Sequence, residues 1–338
     1  MTERIYPFVA SRRDPSGVGM TPHGYDLPDE APGGLRFAAG FWENLGDIFG
    51  TQDVLHRQPS DGDARTTHLI VEYLATALTA KAIDLPGFER LLGVIQSDLR
   101  LVAAALPVID AAEPVELQAV GRRLLLEGTI RLSVKLGLVM LGRSDIEGWT
   151  DHLLAAAQHD EFTTYVVLGF AGPIERRDQI ANAARAAMGW GRVHAIKALN
   201  MTGGITEDVW RWLFDGGLRV ELAEGDMLAF FVMVHQAFSR VLSEGSEQDV
   251  ATALSIINQH FDEDPWNIAL IGGPTPEQGA VQILRNGLDA ALRHPALPES
   301  RELGRQLRAI GAGTSPVVPD QARAPMFADL AHRAAALD

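Results

Sequence analysis

The first group of residues that could do chemistry combines two histidines with two carboxylates. His159, Asp160 and Glu161 are consecutive, and His152 precedes His159 by seven residues. Imidazole and carboxylate groups are ligands that zinc, iron and manganese take in proteins. Acidic residues are equally typical of the first turn of a helix, where they face the positive end of the helix dipole. The His-Glu-x-x-His pattern of zinc helices is absent, so we favour a helix start and predict no metal and no cofactor.

A second group contains Trp190, Arg192 and His194, and a glycine stands on each side of the tryptophan. Glycine allows a backbone to approach a neighbour closely. Arginine can clamp a carboxylate or phosphate, and histidine can act as an acid or base near neutral pH. The alternative is a tight turn between helices, in which Arg192 pairs with Glu161, 31 residues earlier on a neighbouring repeat. We favour the structural pairing and keep a binding site for an anionic ligand as the alternative.

A third group is aromatic. Trp210 and Trp212 are followed by Phe214. A spacing of two on a helix points side chains in different directions, so we expect one tryptophan in the core and the other at the surface. An exposed aromatic residue marks a partner surface, and we take Trp212 as the candidate.

The sequence motifs of several enzyme classes are absent. We find no phosphate-binding loop, no dinucleotide-binding glycine pattern, no nucleophile elbow and no kinase signature. The chain also has no cysteine, which excludes disulfide bonds, a thiolate nucleophile and cysteine-ligated zinc. A triad assembled from distant residues would leave no such motif. Catalytic residues are therefore unassigned, and the sequence favours a binding protein over an enzyme.

The charge balance opposes nucleic-acid binding. The chain has 29 Lys and Arg residues against 44 Asp and Glu residues, a formal net charge of -15, whereas a phosphate backbone is bound by a basic surface. Residues 205–264 hold 12 acidic and 3 basic residues, while residues 285–333 hold 7 arginines and 5 acids. An acidic face either keeps a protein in solution or attracts a basic partner. We predict a protein partner, of basic charge, and no nucleic acid.

The chain has no long apolar segment. Residues 1–10 lack the apolar core of a signal peptide. The longest apolar runs, such as residues 136–141, fall far short of the ~20 residues that cross a bilayer. We therefore expect a cytoplasmic protein with no membrane association.

The elements that must position these residues are predicted to be mainly helices. Residues 1–64 are rich in Pro, Gly and Asp and predict an irregular arm with one short helix at residues 35–49. Residues 65–312 predict a helical body, and residues 313–338 a linker and a short helix. Within the body, residues 115–141 read as one helix of 27 residues, and Gly142 and Gly245 read as helix ends.

Three polar residues predict helix starts within the body. Ser144 and Glu147 have the spacing of a capping box, and Thr206 and Ser246 precede acidic first turns. Short helices separated by glycine-rich turns, with no alternating strands, indicate repeated helical hairpins. The apolar pattern of residues 161–168 recurs weakly in residues 192–199. The predicted fold is all-α, an irregular α-solenoid of stacked helical hairpins with an irregular N-terminal arm.

Four segments carry a family resemblance: residues 134–137, 158–165, 189–194 and 208–217. Together they make residues 134–274 similar to an uncharacterised bacterial family of HEAT-like helical-repeat proteins. The resemblance implies an all-helical fold and implies no activity. It does not extend to the N-terminal arm.

These observations favour a helical-repeat scaffold that binds a protein or peptide partner, since solenoids present extended concave binding surfaces. The alternative is a small-molecule binding protein or enzyme, with an anionic ligand at a site around Glu161, Arg192 and His194. Candidate binding residues in either case are His159, Glu161, Trp190, Arg192, His194 and Trp212.

Overall fold

The computed structural model describes residues 3–29, 61–95, 98–171, 176–202, 204–213, 217, 236–263, 276–314 and 327–337. This part of the chain contains sixteen α-helices and no β-strand, which confirms the predicted all-α class. None of these helices is long and apolar enough to cross a membrane. The chain divides into two compact units, residues 1–204 and residues 205–338. The predicted boundaries at residues 64 and 312 stay predictions.

The described part of unit 1 contains ten helices. They are α1 (Ile5–Ser11), α2 (Asp61–Ala80), α3 (Leu85–Leu92), α4 (Asp98–Ala111), α5 (Pro114–Glu127), α6 (Arg131–Arg143), α7 (Thr150–Ala157), α8 (Asp160–Phe170), α9 (Arg177–Ala186) and α10 (Gly189–Met201). The described part of unit 2 contains six helices and a terminal 3-10 turn. They are α11 (Glu207–Trp212), α12 (Gln236–Glu244), α13 (Glu247–Glu263), α14 (Pro276–Arg293), α15 (Pro298–Gly311), α16 (Ala328–Ala334) and the turn Ala335–Leu337.

Helix α6 is the centre of unit 1. Every residue from Leu132 to Gly142 is buried, and the helix packs against α5 on one side and α8 on another. A helix that is apolar on all sides belongs in a core. Two glycines make the close packing possible. A Cβ atom on Gly137 would lie 2.9 Å from the carbonyl oxygen of Gly121 in α5, and one on Gly142 would lie 2.7 Å from the Cα atom of Gly169 in α8.

Helices α6, α8 and α10 lie side by side and run in the same direction. The last turns of α6 and α8 meet at Gly142 and Gly169, and their first turns meet through Lys135 and Glu161. The first turn of α10 also packs on the first turn of α8, where a Cβ atom on Gly191 would contact the Thr163 side chain. The N-terminal ends of the three helices therefore share one edge of unit 1.

The predicted single helix over residues 115–141 is wrong. The chain leaves the helical conformation at Gly128, and α5 and α6 form an antiparallel hairpin. Glu89 of α3 stabilises the break, because its carboxylate accepts hydrogen bonds from the backbone N–H groups of Thr129 and Ile130 at 2.7 and 3.3 Å. The side chains of Thr129 and Ser133 donate to the same carboxylate. A cap supplied by a distant helix leaves no trace in the local sequence.

We expect Glu89→Ala to lower the free energy of unfolding by about 2–3 kcal/mol, since four donors at the start of α6 lose a charged acceptor. Urea unfolding monitored by circular dichroism measures the change. Arg90→Ala is the matched control, because Arg90 is its exposed neighbour on α3. Equal stability of the two variants would show that the carboxylate does not hold the hairpin.

Two of the three predicted helix starts agree with the structure. Thr206 caps α11 by accepting from the Val209 N–H group at 3.4 Å, and Ser246 caps α13 through Asp249, so both predicted starts are confirmed. The predicted capping box at Ser144 is wrong. Ser144 ends α6, its hydroxyl donates to the Leu141 carbonyl group, and the next helix begins only at Thr150.

The N-terminal arm begins with a helix that the sequence did not predict. Helix α1 buries Ile5, Tyr6 and Val9 and packs against α5 and α7. The Ile5 N–H group donates to the Gly128 carbonyl group at 3.0 Å, which ties α1 to the end of α5. The predicted helix over residues 35–49 lies outside the described residues.

Candidate functional site

A buried lysine lies at the shared edge of α6 and α8. Lys135 is 2% exposed, and its Nζ atom donates to Asp98 Oδ2 at 2.5 Å and to Glu161 Oε1. The same atom lies 4.9 Å from the centroid of the Tyr165 ring. A charge can be buried in this way only when opposite charges accompany it, and here a carboxylate from α4 and one from α8 do so.

Arg131, one turn before Lys135 on α6, extends this ion cluster to the arm. Its Nη1 atom lies 3.7 Å from Glu161 Oε1. Its backbone N–H group and its Nε atom both donate to Asp29 Oδ2, at 3.0 and 3.2 Å. The ion cluster consists of Asp29, Asp98, Arg131, Lys135 and Glu161. It joins the arm, α4, α6 and α8 at one place.

The ion cluster keeps Lys135 charged. Burial by itself would lower the pKa of Lys135, but the neighbouring Tyr165, Glu161 and Asp98 more than offset it, and the pKa is raised. An amine that acts as a nucleophile or general base needs a lowered pKa. Lys135 therefore suits an electrostatic role, as a fixed cation that holds two carboxylates.

His159 confirms the predicted helix start. It is the N-cap of α8, and its Nδ1 atom accepts from the Glu161 N–H group at 3.1 Å. Because Nδ1 acts as an acceptor, the neutral ring carries its proton on Nε2. That Nε2 atom is buried and has no hydrogen-bond partner. The ring is flanked by Tyr25 of the arm and by Phe162, with centroids 5.5 and 5.2 Å away.

The two histidines of the sequence pattern have different partners. His152 Nδ1 lies 2.7 Å from the hydroxyl group of Tyr6, and the His152 ring also contacts Trp149. Burial raises the pKa of Tyr6 to about 12, and the positive charge of Arg13 acts in the other direction. Among the described residues, no group of three His, Asp or Glu side chains could hold a metal ion. His152 thus belongs to the anchoring of α1.

Arg192 and His194 are buried at the start of α10, 5% and 9% exposed. The Nε atom of Arg192 donates to the Ala187 carbonyl group at 2.9 Å, and its Nη2 atom lies 3.6 Å from the Met188 sulfur. The ion pairs described for Glu161 are with Lys135 and Arg131, and its predicted pairing with Arg192 stays a prediction. The side chain of Trp190 lies outside the described residues.

The aromatic group divides between core and surface. Trp210 is buried, whereas Trp212 is partly exposed and packs beside Gly217, where a Cβ atom would lie 2.9 Å from the indole. Phe214 lies outside the described residues. The role of Trp212 as a contact for a partner stays a prediction.

The structure thus brings two of the sequence candidates, His159 and Glu161, into one site, and adds residues that the sequence did not single out. Lys135, Asp98 and Asp29 come from three separate elements, so nothing in the local sequence brings them together. Arg131 and Lys135, one turn apart on α6, would by themselves repel each other, and Glu161 interacts with both of them. Comparison of the chain with family models, with curated proteins and with solved structures finds no match in any of the three.

Proposed function

We propose that the protein is a helical scaffold that binds a protein or peptide partner. The observation that carries the proposal is the burial of the reactive side chains. Lys135, Glu161, Arg192 and His194 are all at most 9% exposed, and the charges of Lys135 and Glu161 neutralise each other. Residues placed to react with a substrate must be reached by it, whereas residues that hold helices together need not be.

The arrangement of unit 1 supports a repeat scaffold. Alternate helices α6, α8 and α10 pack in one direction, and α7 packs against α9 as well as against α8. Stacked helical hairpins have this pattern. We propose on this basis that α5 to α10 are three successive hairpins of an irregular, HEAT-like solenoid.

The partner we propose is basic. Residues 205–264 have a net charge of -9, from 12 acidic and 3 basic residues. Described members of this stretch, Glu207, Asp208, Glu244 and Glu247, are exposed. An acidic surface of this kind speeds association with a basic segment and makes binding sensitive to salt.

Charge neutralisation tests the proposal. We expect the triple variant Glu207→Gln, Asp208→Asn and Glu247→Gln to lose at least about tenfold of the affinity for partners captured by the native chain, because each exposed charge contributes to attraction. The matched control neutralises three exposed glutamates of unit 1: Glu72, Glu127 and Glu147.

Partners are captured from a lysate by the native chain and identified by mass spectrometry. Their binding to each variant is then measured by biolayer interferometry at low and physiological salt. Equal binding by both triple variants, or capture of the same proteins by an unrelated acidic chain, would contradict a specific acidic docking surface.

A small-molecule site around Glu161, Arg192 and His194 is the second proposal. It is favoured by the shared edge of three helix N-termini, which attracts anions, and by the partnerless Nε2 atom of His159. A ligand that binds only the folded state must raise the thermal stability. An unchanged melting temperature across a panel of anionic metabolites and metal ions would contradict this alternative.

A further inference from the structure

The N-terminal arm is held to unit 1 in two different ways. Its first part, helix α1, is anchored by buried apolar side chains. Residues 13–29, which we name the strap, continue from it and cross the N-terminal edge of α8. Between Arg13 and Asp29 only Met20 and Leu27 are buried apolar residues with side chains larger than hydrogen. The strap is therefore attached largely by polar contacts.

At least four contacts attach the strap to the body. The Gly19 N–H group donates to the Ala186 carbonyl group at 2.9 Å, and the Gln158 side chain donates to the Gly17 carbonyl group at 3.0 Å. The Tyr25 ring packs on His159, and the Asp29 carboxylate accepts from Arg131. The contact set thus combines backbone pairing, one aromatic ring and one carboxylate.

The strap leaves some buried polar atoms along this edge without hydrogen bonds. Three buried side-chain atoms along it have no hydrogen-bond partner: Asp29 Oδ1, Gln158 Oε1 and His159 Nε2. Gln158 and His159 are 7% and 0% exposed. Buried polar groups are nearly always paired, because an unpaired one costs free energy. The edge therefore offers an N–H donor and a carbonyl acceptor that the strap leaves unused.

We propose that the strap is a displaceable occupant of a binding edge, and that the edge accepts an extended peptide segment carrying an aromatic ring and, four residues later, a carboxylate. In such a segment the ring takes the place of Tyr25 on His159. The carboxylate takes the place of Asp29 at Arg131, where it faces the positive end of α6. A donor and an acceptor on the same segment can pair with Gln158 and His159.

This second docking surface lies in unit 1 and prefers a segment with a negative charge, whereas the acidic stretch of unit 2 is proposed to bind a basic partner. Its test uses the isolated chain, so it stands or fails independently of the partner experiment described above.

Hydrogen exchange in the native chain tests whether the strap opens. The Gly19 and Ile5 amides both donate to carbonyl groups of the body, but the first lies in the strap and the second at the anchored helix. We expect Gly19 to exchange at least about a hundredfold faster, with little dependence on dilute urea, because local opening exposes little surface. Equal rates with the same urea dependence would show that the arm opens only with the whole unit and would overturn the proposal.

Binding at the edge is tested with a synthetic peptide of residues 13–29. The chain lacks cysteine, so Gln158→Cys places a single reactive thiol under the strap, and Ala80→Cys places one at an exposed position of α2 as the control. The strap is weakened by adding Asp29→Asn to both. We expect saturating peptide to slow thiol modification at position 158 at least about fivefold, and to leave position 80 unchanged, because a thiol already exposed to solvent reacts without any opening of the fold.

The control peptide carries Tyr25→Ala and Asp29→Asn and should not protect the thiol. Equal protection by both peptides, or by neither, would overturn the proposed recognition of a ring and a carboxylate. If Gln158→Cys does not fold, the peptide effect is read instead from exchange of the Glu161 amide, which donates to His159 at the edge, in the Asp29→Asn chain. Unchanged exchange there would overturn the proposal equally.

Discussion

Replacing Gly142 by leucine should leave unit 1 unfolded at 25 °C. Helices α6 and α8 cross at this residue so closely that a Cβ atom would lie 2.7 Å from the Gly169 Cα atom. The obstacle is backbone of another helix, which cannot rotate away as a side chain can. The helices would have to separate along an interface that buries Leu132 to Gly142 of α6. Domains of this size are only ~5–15 kcal/mol more stable than their unfolded chains.

A graded series makes the Gly142 prediction quantitative. We expect Gly142→Ala to fold but to lose about 1–3 kcal/mol, the usual cost of overpacking, and Gly142→Leu to show no cooperative transition. Gly93→Ala is the matched control, because Gly93 ends α3 with φ of -62° and a Cβ atom there would meet nothing closer than 3.6 Å. Circular dichroism with urea titration measures all three. A native midpoint for Gly142→Leu would contradict the crossing.

The contrast between Gly142 and Gly245 shows what a sequence pattern can resolve. Both were predicted to end helices. Gly245 does follow the last residue of α12, but α6 continues to Arg143, past Gly142. A glycine that ends a helix and a glycine that lets two helices cross have the same local signature. Only the presence of Gly169 opposite distinguishes them, and that information lies in the packing of α8 on α6.

The helices themselves were largely predictable, because apolar periodicity is a local property. Residues 160–170, for example, lie in the body that is predicted to be helical, and they form the largely buried helix α8. Capping by Thr206 and Ser246 was likewise readable, since donor and acceptor lie three residues apart. The hairpin break at Gly128 was missed because its cap, Glu89, comes from about 40 residues earlier.

The same limit explains the candidate site. His159 and Glu161 were recognised from their types, but the partners of Glu161 were not. Lys135 lies 26 residues from Glu161 and 37 from Asp98, and Arg131 and Lys135, four residues apart on one helix, would by themselves repel each other. The structure places a carboxylate of α8 between the two cations. Charge pairs between elements depend on which helices become neighbours, which composition and spacing do not determine.

We expect Lys135→Met to lower the free energy of unfolding by about 3–5 kcal/mol, the usual cost of removing one partner from a buried ion pair. The variant fills similar volume but removes the ion pair with Asp98 and leaves buried Glu161 with only the more distant Arg131, 3.7 Å away, as its described cation. Glu161→Gln should cost less, because Lys135 keeps Asp98. The double variant should be more stable than the sum of the two losses predicts, with a coupling of about 1–3 kcal/mol. Urea titration at neutral pH measures the cycle, and Lys81→Met at an exposed lysine is the control.

The pH dependence of the same variants shows whether Lys135→Met loses stability because a charge is removed or because packing is changed. The pKa of folded Lys135 is raised above the ordinary value of 10.5, so the folded chain binds this proton more tightly than the unfolded chain does. Its contribution is fully present below pH 10.5 and is lost as the pH rises through the folded pKa. Above pH 10.5 the free energy of unfolding should therefore fall more steeply in the native chain than in the Lys135→Met variant. The gap, which is the difference in free energy of unfolding between the two chains, should narrow. A gap that stays constant up to pH 12 would mean that Lys135 stabilises unit 1 by packing, not by its charge.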